Sequence, residues 1–326
     1  MNMNFKKNTT ILVTGSAGFI GFHVAKKLLD LNINVIGLDN LSNYYDVKLK
    51  EDRNSILKKY PNYKFYKGDL VNIDFVKKVL DENKIDKVCH LAAQAGVRYS
   101  LKHPEVYIQS NVVGFANLIE EVKNHKIKDF IYASSSSVYG NNEKIPFSVD
   151  DNVDHPISIY AATKKTNELI AHAYHHLYGL NCTGLRFFTA YGPYGRPDMA
   201  LFLFTKDILN NKAIKVFNHG KMKRDFTYID DIVNGVLSAL HNSYSYEIFN
   251  LGNNKSIDLE YFIELIEKNL GKKAKKEMLE LQAGDIANTF ADIDYSKEKL
   301  DFDPQITIED GIKKFIDWYK DYYKIK

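Results

Sequence analysis

Through the first half of the chain, short apolar runs alternate with stretches in which apolar residues recur at helical spacing. The runs at 10–14, 34–38, 64–67, 87–91, 129–133 and 181–186 predict strands, and the stretches at 21–31, 73–82, 106–124 and 159–178 predict helices. Strand–helix alternation at this spacing predicts an α/β fold, a Rossmann-like doubly wound parallel sheet with helices on both faces. After about Arg186 the rhythm changes. Gly, Pro and aromatic residues cluster in "YGPYGRPDM" (191–199), and shorter elements follow. The pattern therefore places a domain boundary there, between residues 1–186, which form the doubly wound domain, and 187–326, which form a smaller α/β domain. Residues from about 225 to 250 are expected to return to the first domain.

The first strand, turn and helix read "ILVTGSAGFIGFHVAKKLL" (11–29), with Gly15, Gly18 and Gly21 spaced three apart. Two glycines let the backbone turn sharply and approach a diphosphate, and the third lets the helix pack close to the strand. Free amides at the helix start hold the anion. The spacing departs from G-x-G-x-x-G by one residue. The second strand ends in "VIGLDN", which places Asp39 about 20 residues past the loop, where a carboxylate accepts the adenosine ribose hydroxyls. It would repel a 2′-phosphate, so the cofactor expected is NAD rather than NADP. Asp69 in "GDL" is placed to reach the adenine amino group. Leu91, Ala92 and Ala93 in "HLAA" end the fourth strand, where small residues let a dinucleotide pass. Phe19, Ile20, Asn40, Leu70, Asn111 and Ser134 complete the expected cofactor set. No G-x-x-x-x-G-K-[ST] loop occurs.

Composition narrows the classes. Hydrophobic residues are 45% and charged residues 26% of the 326, and net charge is only +3, which points away from nucleic acid as a partner. The basic run 272–276 is read as a solvated face. Cys89 and Cys182 lie in apolar runs without metal-ligand or disulfide-framework spacing. The N-terminus shows no apolar leader and no run is long enough to span a membrane, so the cytoplasm is expected.

"YAATKK" (160–165) sets Tyr160 and Lys164 one turn apart on a helix face. A free phenol has a pKa of about 10, so little is ionised at neutral pH. An ammonium at roughly 4 Å, in an effective dielectric of about 20, favours the phenolate by about 4 kcal/mol. Tyr160 is thereby expected to serve as a general base, with Lys164 also binding the nicotinamide ribose. Upstream, "FIYASSSSVYG" (130–140) ends a strand in four serines whose hydroxyls face the cofactor cleft.

Glycine loop, serine strand end and Tyr-x-x-x-Lys, in this order, resemble the extended short-chain dehydrogenase/reductase superfamily. Within it, "LDNLSNYYDVKLK", "HLAAQAGVRYSL", "DHPISIYAATKK", "GLRFFTAYGPYGRPDMA" and "GKMKRDFTYIDDI" resemble the UDP-glucuronate 4-epimerases. That resemblance implies bound NAD, a UDP-sugar substrate and reversible inversion at C4 through a 4-keto sugar. Tyr160, Ser135 and Lys164 match the family's catalytic residues. Arg224 matches its diphosphate-binding arginine, Lys215 and Phe217 the strand along the uracil, and Asp285 an acid that holds the uridine ribose. Related glucose epimerases carry an arginine where Gln282 stands. Ser136, Ser137 and Thr189 are expected to hydrogen-bond the C5 carboxylate, and Arg98 either binds substrate or braces its loop. Arg224 has a second reading, as an ion pair with Asp225, Asp230 or Asp231.

Decarboxylases and 4,6-dehydratases of the same superfamily place an acid just after the catalytic Ser/Thr, where this chain has Ser136 and Ser137. The alternatives kept open are an epimerase acting on UDP-glucose or UDP-GlcNAc, a UDP-glucuronate decarboxylase, and a non-catalytic NAD sensor. The resemblance also implies a homodimer, and Ala161, Ala162, Leu169, Ile170, Ala173 and Leu177 offer an apolar surface for it.

Overall fold

A computed structural model describes residues 5–282 and 284–325. Six strands, β1 (Thr10–Thr14), β2 (Asn34–Asp39), β3 (Tyr63–Lys67), β4 (Lys87–His90), β5 (Asp129–Ser135) and β6 (Asn181–Phe187), pair in parallel. Between them run α1 (Phe19–Asp30), α2 (Val47–Leu57), α3 (Ile73–Asp81), the short α4 (Val97–Ser100) and α5 (Pro104–Tyr107), α6 (Gly114–Asn124) and α7 (Ile159–Tyr178). Period-two alternation sorts each strand's side chains between the sheet's two faces. Ile11, Val13, Cys89 and Ile131 join one core, whereas Leu12, Val88, Phe130 and Tyr132 join the other. All seven residues of β5 are buried, as befits a strand covered on both faces.

The second half adds β7 (Thr189–Tyr191), α8 (Ala200–Leu209), β8 (Ala213–Phe217), β9 (Lys223–Tyr228), α9 (Ile229–His241), β10 (Tyr246–Leu251), β11 (Ser256–Asp258), α10 (Leu259–Leu270), β12 (Lys275–Leu279), α11 (Asp294–Leu300) and α12 (Ile308–Tyr322). β10 pairs with β6, which gives a seven-stranded sheet in the order β10-β6-β5-β4-β1-β2-β3. A three-stranded sheet (β11-β9-β7) and a parallel pair (β12-β8) lie outside it. The strand order reverses between β1 and β4, so a crevice opens at their carboxyl ends, where open α/β sheets bind ligands.

Two local features differ from the sequence pattern. The stretch 106–124 is not one regular helix: α5 passes into a π-helical segment, Ile108–Val113, before α6. Such widened turns mark functional sites, and this one carries Asn111. α2 was invisible to periodicity because three of its five buried residues are Lys50, Arg53 and Asn54. α7 is well signalled at both ends. The Ser158 hydroxyl accepts from the Ala161 amide at 3.1 Å, and Gly179 closes the helix at φ +66°.

Candidate active site

The glycine loop is a cradle with no room for side chains. A Cβ on Gly15, whose φ is +71°, would lie 2.7 Å from the Ala92 amide nitrogen, and one on Gly21 would lie 2.0 Å from the Gly15 carbonyl. α1 begins at Gly18 without a side-chain cap, which leaves its first amides for an anion. The Asp39 carboxylate ends β2 and accepts from the amides of Ala17 at 3.0 Å and Leu41 at 2.8 Å. Asn40 donates to Asp69 at 2.9 Å across the strand ends. Leu91, Ala92 and Ala93 follow β4 beside Gly15, and the Thr14 hydroxyl holds the Ala92 amide at 3.2 Å. Phe19 and Leu70 are buried and Ile20 half-buried against this groove's supports. A tight glycine turn, free amides and a carboxylate at the end of β2 together fit a dinucleotide such as NAD.

Ser135 is the last residue of β5, and its Oγ accepts from the Ser137 amide at 3.1 Å. Tyr160 stands in the first turn of α7, hydrogen-bonded to Ser135, and Lys164 follows one turn later. The electrostatics differ from the sequence expectation. Burial holds the Tyr160 phenol above its ordinary value. The Ser135 hydrogen bond and the charge of Arg196, not Lys164, oppose that rise. Lys164 is 1% exposed, donates to the Ala133 carbonyl at 2.8 Å and is pulled by burial to about 8. Its ammonium is therefore directed at the end of β5.

Two residues assigned to the cofactor from sequence have their side chains engaged elsewhere. The Ser134 hydroxyl donates to Glu168 at 2.6 Å, inside a buried network in which Glu168 also takes a fork from Arg186 at 2.9 and 3.0 Å. Asn111 donates to the Gln94 carbonyl and the Thr163 hydroxyl, both at 3.0 Å, and accepts from the Gln94 amide at 2.7 Å. Thr163 in turn donates to the Tyr160 carbonyl at 2.8 Å. Both residues thus brace α7, Ser134 from the end of β5 and Asn111 through the segment that follows β4.

Ser136 and Ser137 open a 3₁₀ turn after β5, and Thr189 begins β7 two residues beyond Phe187, the register partner of Ser135. The three hydroxyl residues therefore share one strand-end region with Tyr160. The residues that the resemblance assigns to the nucleotide also converge. Arg98, at the start of the loop helix α4, pairs with Asp285 at 3.0 Å, and its guanidinium lies 4.5 Å from the Phe217 ring centre. Arg224 donates to the carbonyls of Lys223 and Ala287, and Asp225, Asp230 and Asp231 do not pair with it. Burial pulls Arg224 down to about 10, with Asp285 opposing and Arg98 reinforcing that shift, so its charge is under-compensated. Lys215 is exposed, two residues before Phe217 on β8. Gln282 leaves its Oε1 buried without a partner among the described residues.

The profile described as "NAD dependent epimerase/dehydratase family" matches residues 11–252. The chain belongs to the NAD dependent epimerase/dehydratase family. Among members of this epimerase/dehydratase family, the UDP-glucuronate 4-epimerase of Thermodesulfobacterium geofontis is 47% identical over 95% of this chain and 96% of its own length. A Bacillus cereus UDP-glucuronic acid 4-epimerase, solved in complex with UDP-glucuronic acid and NAD, superposes with a TM-score of 0.90. It is 36% identical and covers 97% of this chain and 100% of its own. A Thermotoga maritima UDP-glucose 4-epimerase, solved with UDP-glucose, reaches a TM-score of 0.88 at 29% identity, covering 97% of this chain and 100% of its own. The fold is thus shared by epimerases of charged and neutral sugars, and the side chains at the site must distinguish them.

Sequence reasoning missed one group at this epimerase/dehydratase site. Arg196 grips Asp198 through its Nε at 3.0 Å and its Nη2 at 2.5 Å, and the Tyr44 hydroxyl donates to the same carboxylate at 2.9 Å. Both charged residues lie in "YGPYGRPDM", which marked a domain boundary and helped carry the family resemblance but gave neither residue a role. The spacing of Arg196 and Asp198, two apart in a Gly/Pro-rich loop, was the available signal.

Proposed function

We propose that this chain is a UDP-glucuronate 4-epimerase that retains NAD and interconverts UDP-glucuronate and UDP-galacturonate by inverting C4 through a 4-keto sugar. The observation that carries the reading is Tyr160 against Ser135 at the end of β5, with Ser136, Ser137 and Thr189 alongside. NAD, when bound, supplies the acceptor and donor of the C4 hydride. Tyr160 Oη takes the 4-hydroxyl proton and returns it to the same oxygen once the keto sugar has turned its other face to the hydride donor, so the inversion lies in the C–H bond that re-forms at C4. Ser135 hydrogen-bonds the reacting oxygen, while Lys164, with one of its three donors on Ala133, offers the others to the nicotinamide ribose. Gly15, Gly18, Phe19, Ile20, Gly21, Asp39, Asn40, Asp69, Leu70, Leu91, Ala92 and Ala93 line the cofactor's path.

Ser136, Ser137 and Thr189 receive the C5 carboxylate as neutral donors, which release and re-engage it more readily than an arginine clamp as the ring rotates. No acid stands where proton transfer beyond C4 would need one, which favours epimerisation over decarboxylation. Arg224, Lys215, Phe217 and Asp285 hold the UDP portion still while the sugar moves, and Arg98 orients Asp285. Residues 1–186, rejoined by α9 and β10, act as the NAD domain, and the rest of 187–326 as the substrate domain. We further propose a homodimer through the outward stripe of Leu169, Ala173 and Leu177 on α7, and a cytoplasmic location. Among the described residues no helix is long and apolar enough to cross a membrane.

The test is product analysis after incubation with UDP-glucuronate and no added NAD. UDP-galacturonate is expected, whereas UDP-xylose with carbon dioxide, or no product while UDP-glucose is epimerised, would remove this reading.

A further inference from the structure

Behind the glycine loop lies a cation that the catalytic scheme does not use. Arg53 on α2 is wholly buried. Its Nη1 donates to the Ala17 carbonyl at 2.9 Å and the Tyr45 hydroxyl at 2.8 Å, and its Nη2 to the carbonyls of Tyr194 at 2.6 Å and Gly195 at 3.3 Å. Its Nε has no partner among the described residues. Every one of these partners is a neutral oxygen. A guanidinium taken out of water without an anion is strongly destabilising, so a fold that retains one places it where a counter-charge arrives.

The position of Arg53 says which counter-charge. Ala17 is held at both ends, its amide donating to Asp39 Oδ2 at 3.0 Å and its carbonyl accepting from Arg53. The residue so clamped sits in the turn between Gly15 and Gly18, immediately before the uncapped start of α1. Asp39 has its own two amide partners and stands at the ribose end of the groove. Tyr194, on the other arm of the fork, adopts φ +56°, a conformation a tyrosine rarely takes. The Arg53 hydrogen bond holds it there. The same side chain therefore fixes the phosphate loop and the segment leading to Arg196.

We propose that Arg53 is the buried positive charge of the cofactor's diphosphate site, set behind the glycine loop as a positioning residue whose counter-charge is the bound diphosphate. The proposal rests on the NAD assignment above. It predicts a charge-specific effect that a merely structural arginine would not have. Full-length protein stripped of nucleotide would be titrated with ADP and with adenosine, in wild type and in Arg53→Met and Arg53→Lys. Wild type should favour ADP. Arg53→Met should weaken ADP binding by at least about tenfold, as expected for loss of a charged partner, and change adenosine by less than about twofold. Arg53→Lys, which keeps the charge and loses the fork, should recover most of the ADP affinity, and this arm stands by itself if the methionine variant does not fold. Equal losses for ADP and adenosine in either variant, or unchanged ADP binding in Arg53→Met, would overturn the role of Arg53 alone. A wild-type chain that binds adenosine as tightly as ADP would overturn the diphosphate site, and the NAD reading with it.

Discussion

Ser135 and Tyr160 stand at the end of a fully buried strand and in the first turn of a 20-residue helix, whereas Arg98, Phe217 and Asp285 come from a loop helix, a strand end and an irregular segment. The chemical end is locked by buried partners: Lys164 on Ala133, Ser134 on Glu168, Asn111 on Thr163. At the nucleotide end the side chain of Arg98 is 51% exposed and pairs with Asp285, which the ligand itself would engage. The contrast follows from the two tasks. Proton transfer needs reacting atoms held within tenths of an ångström. Nucleotide binding tolerates an exchange, in which a weak exposed ion pair gives way to ligand contacts. Damage at the first end should therefore lower kcat, and damage at the second should raise KM.

The sharpest way to break this division is Tyr160→Phe. Only a hydroxyl is lost, so melting temperature and NAD content should match wild type while kcat falls by about 10²–10⁴-fold. Stopped-time product assays with a parallel cofactor absorbance scan read both quantities. A variant that keeps more than a tenth of wild-type kcat would move the base to another group and dissolve the distinction between the two ends.

Lys164 sharpens it through pH. Its pKa in the folded chain is about 8 against an ordinary 10.5, because burial disfavours the ammonium. Below pH 8 both folded and unfolded chains hold the proton, and the burial penalty is fully present. Between about 8 and 10.5 the unfolded chain holds a proton that the folded one has released, so this group makes stability rise with pH, by about 1.4 kcal/mol per unit across that window. Lys164→Met should abolish the rise. Urea unfolding midpoints of both proteins at successive pH values isolate it, since other titrating groups cancel in the difference. Parallel curves would show that the ammonium is not desolvated, and that the chemical end is less sealed than its geometry implies.

How much of this was legible in the sequence depended on which end was read. Six of the seven strands of the sheet and α7 lie close to where periodicity puts them, because apolar runs and a capped amphipathic helix obey local rules, whereas β10 was not read as a strand. The Gly15–Gly21 loop, Asp39, Ser135, Tyr160 and Lys164 were visible for the same reason, since each sits at a fixed offset from a regular element. α2 was not, because its buried Lys50, Arg53 and Asn54 break the apolar stripe. Nor was the engagement of Ser134 and Asn111, since their partners Glu168, Gln94 and Thr163 are distant in the chain. That Arg196 rather than Lys164 opposes the rise imposed on Tyr160 by burial is of the same kind. Helical spacing brings Lys164 to the right face, but only the folded loop brings Arg196 to the phenol.

The Arg98–Asp285 pair decides whether the nucleotide end acts as one unit. If Arg98 serves chiefly to orient Asp285, its removal matters only while Asp285 is present. Asp285→Ala should raise KM for UDP-glucuronate roughly tenfold, the scale of one hydrogen bond to a charged group, with kcat within about threefold. Arg98→Ala should raise KM by less, about twofold to fivefold, because an exposed pair contributes under about 1 kcal/mol. The double variant should then resemble Asp285→Ala alone, a coupling nearly equal to the whole Arg98 effect. Additive losses would mean that Arg98 touches substrate independently of Asp285, through the face it now lays on Phe217. A fall in kcat in either single variant would be more damaging, because it would carry the consequences of a half-exposed ion pair into the sealed end of the cleft, where the present arrangement of Tyr160, Ser135 and Lys164 gives them no path.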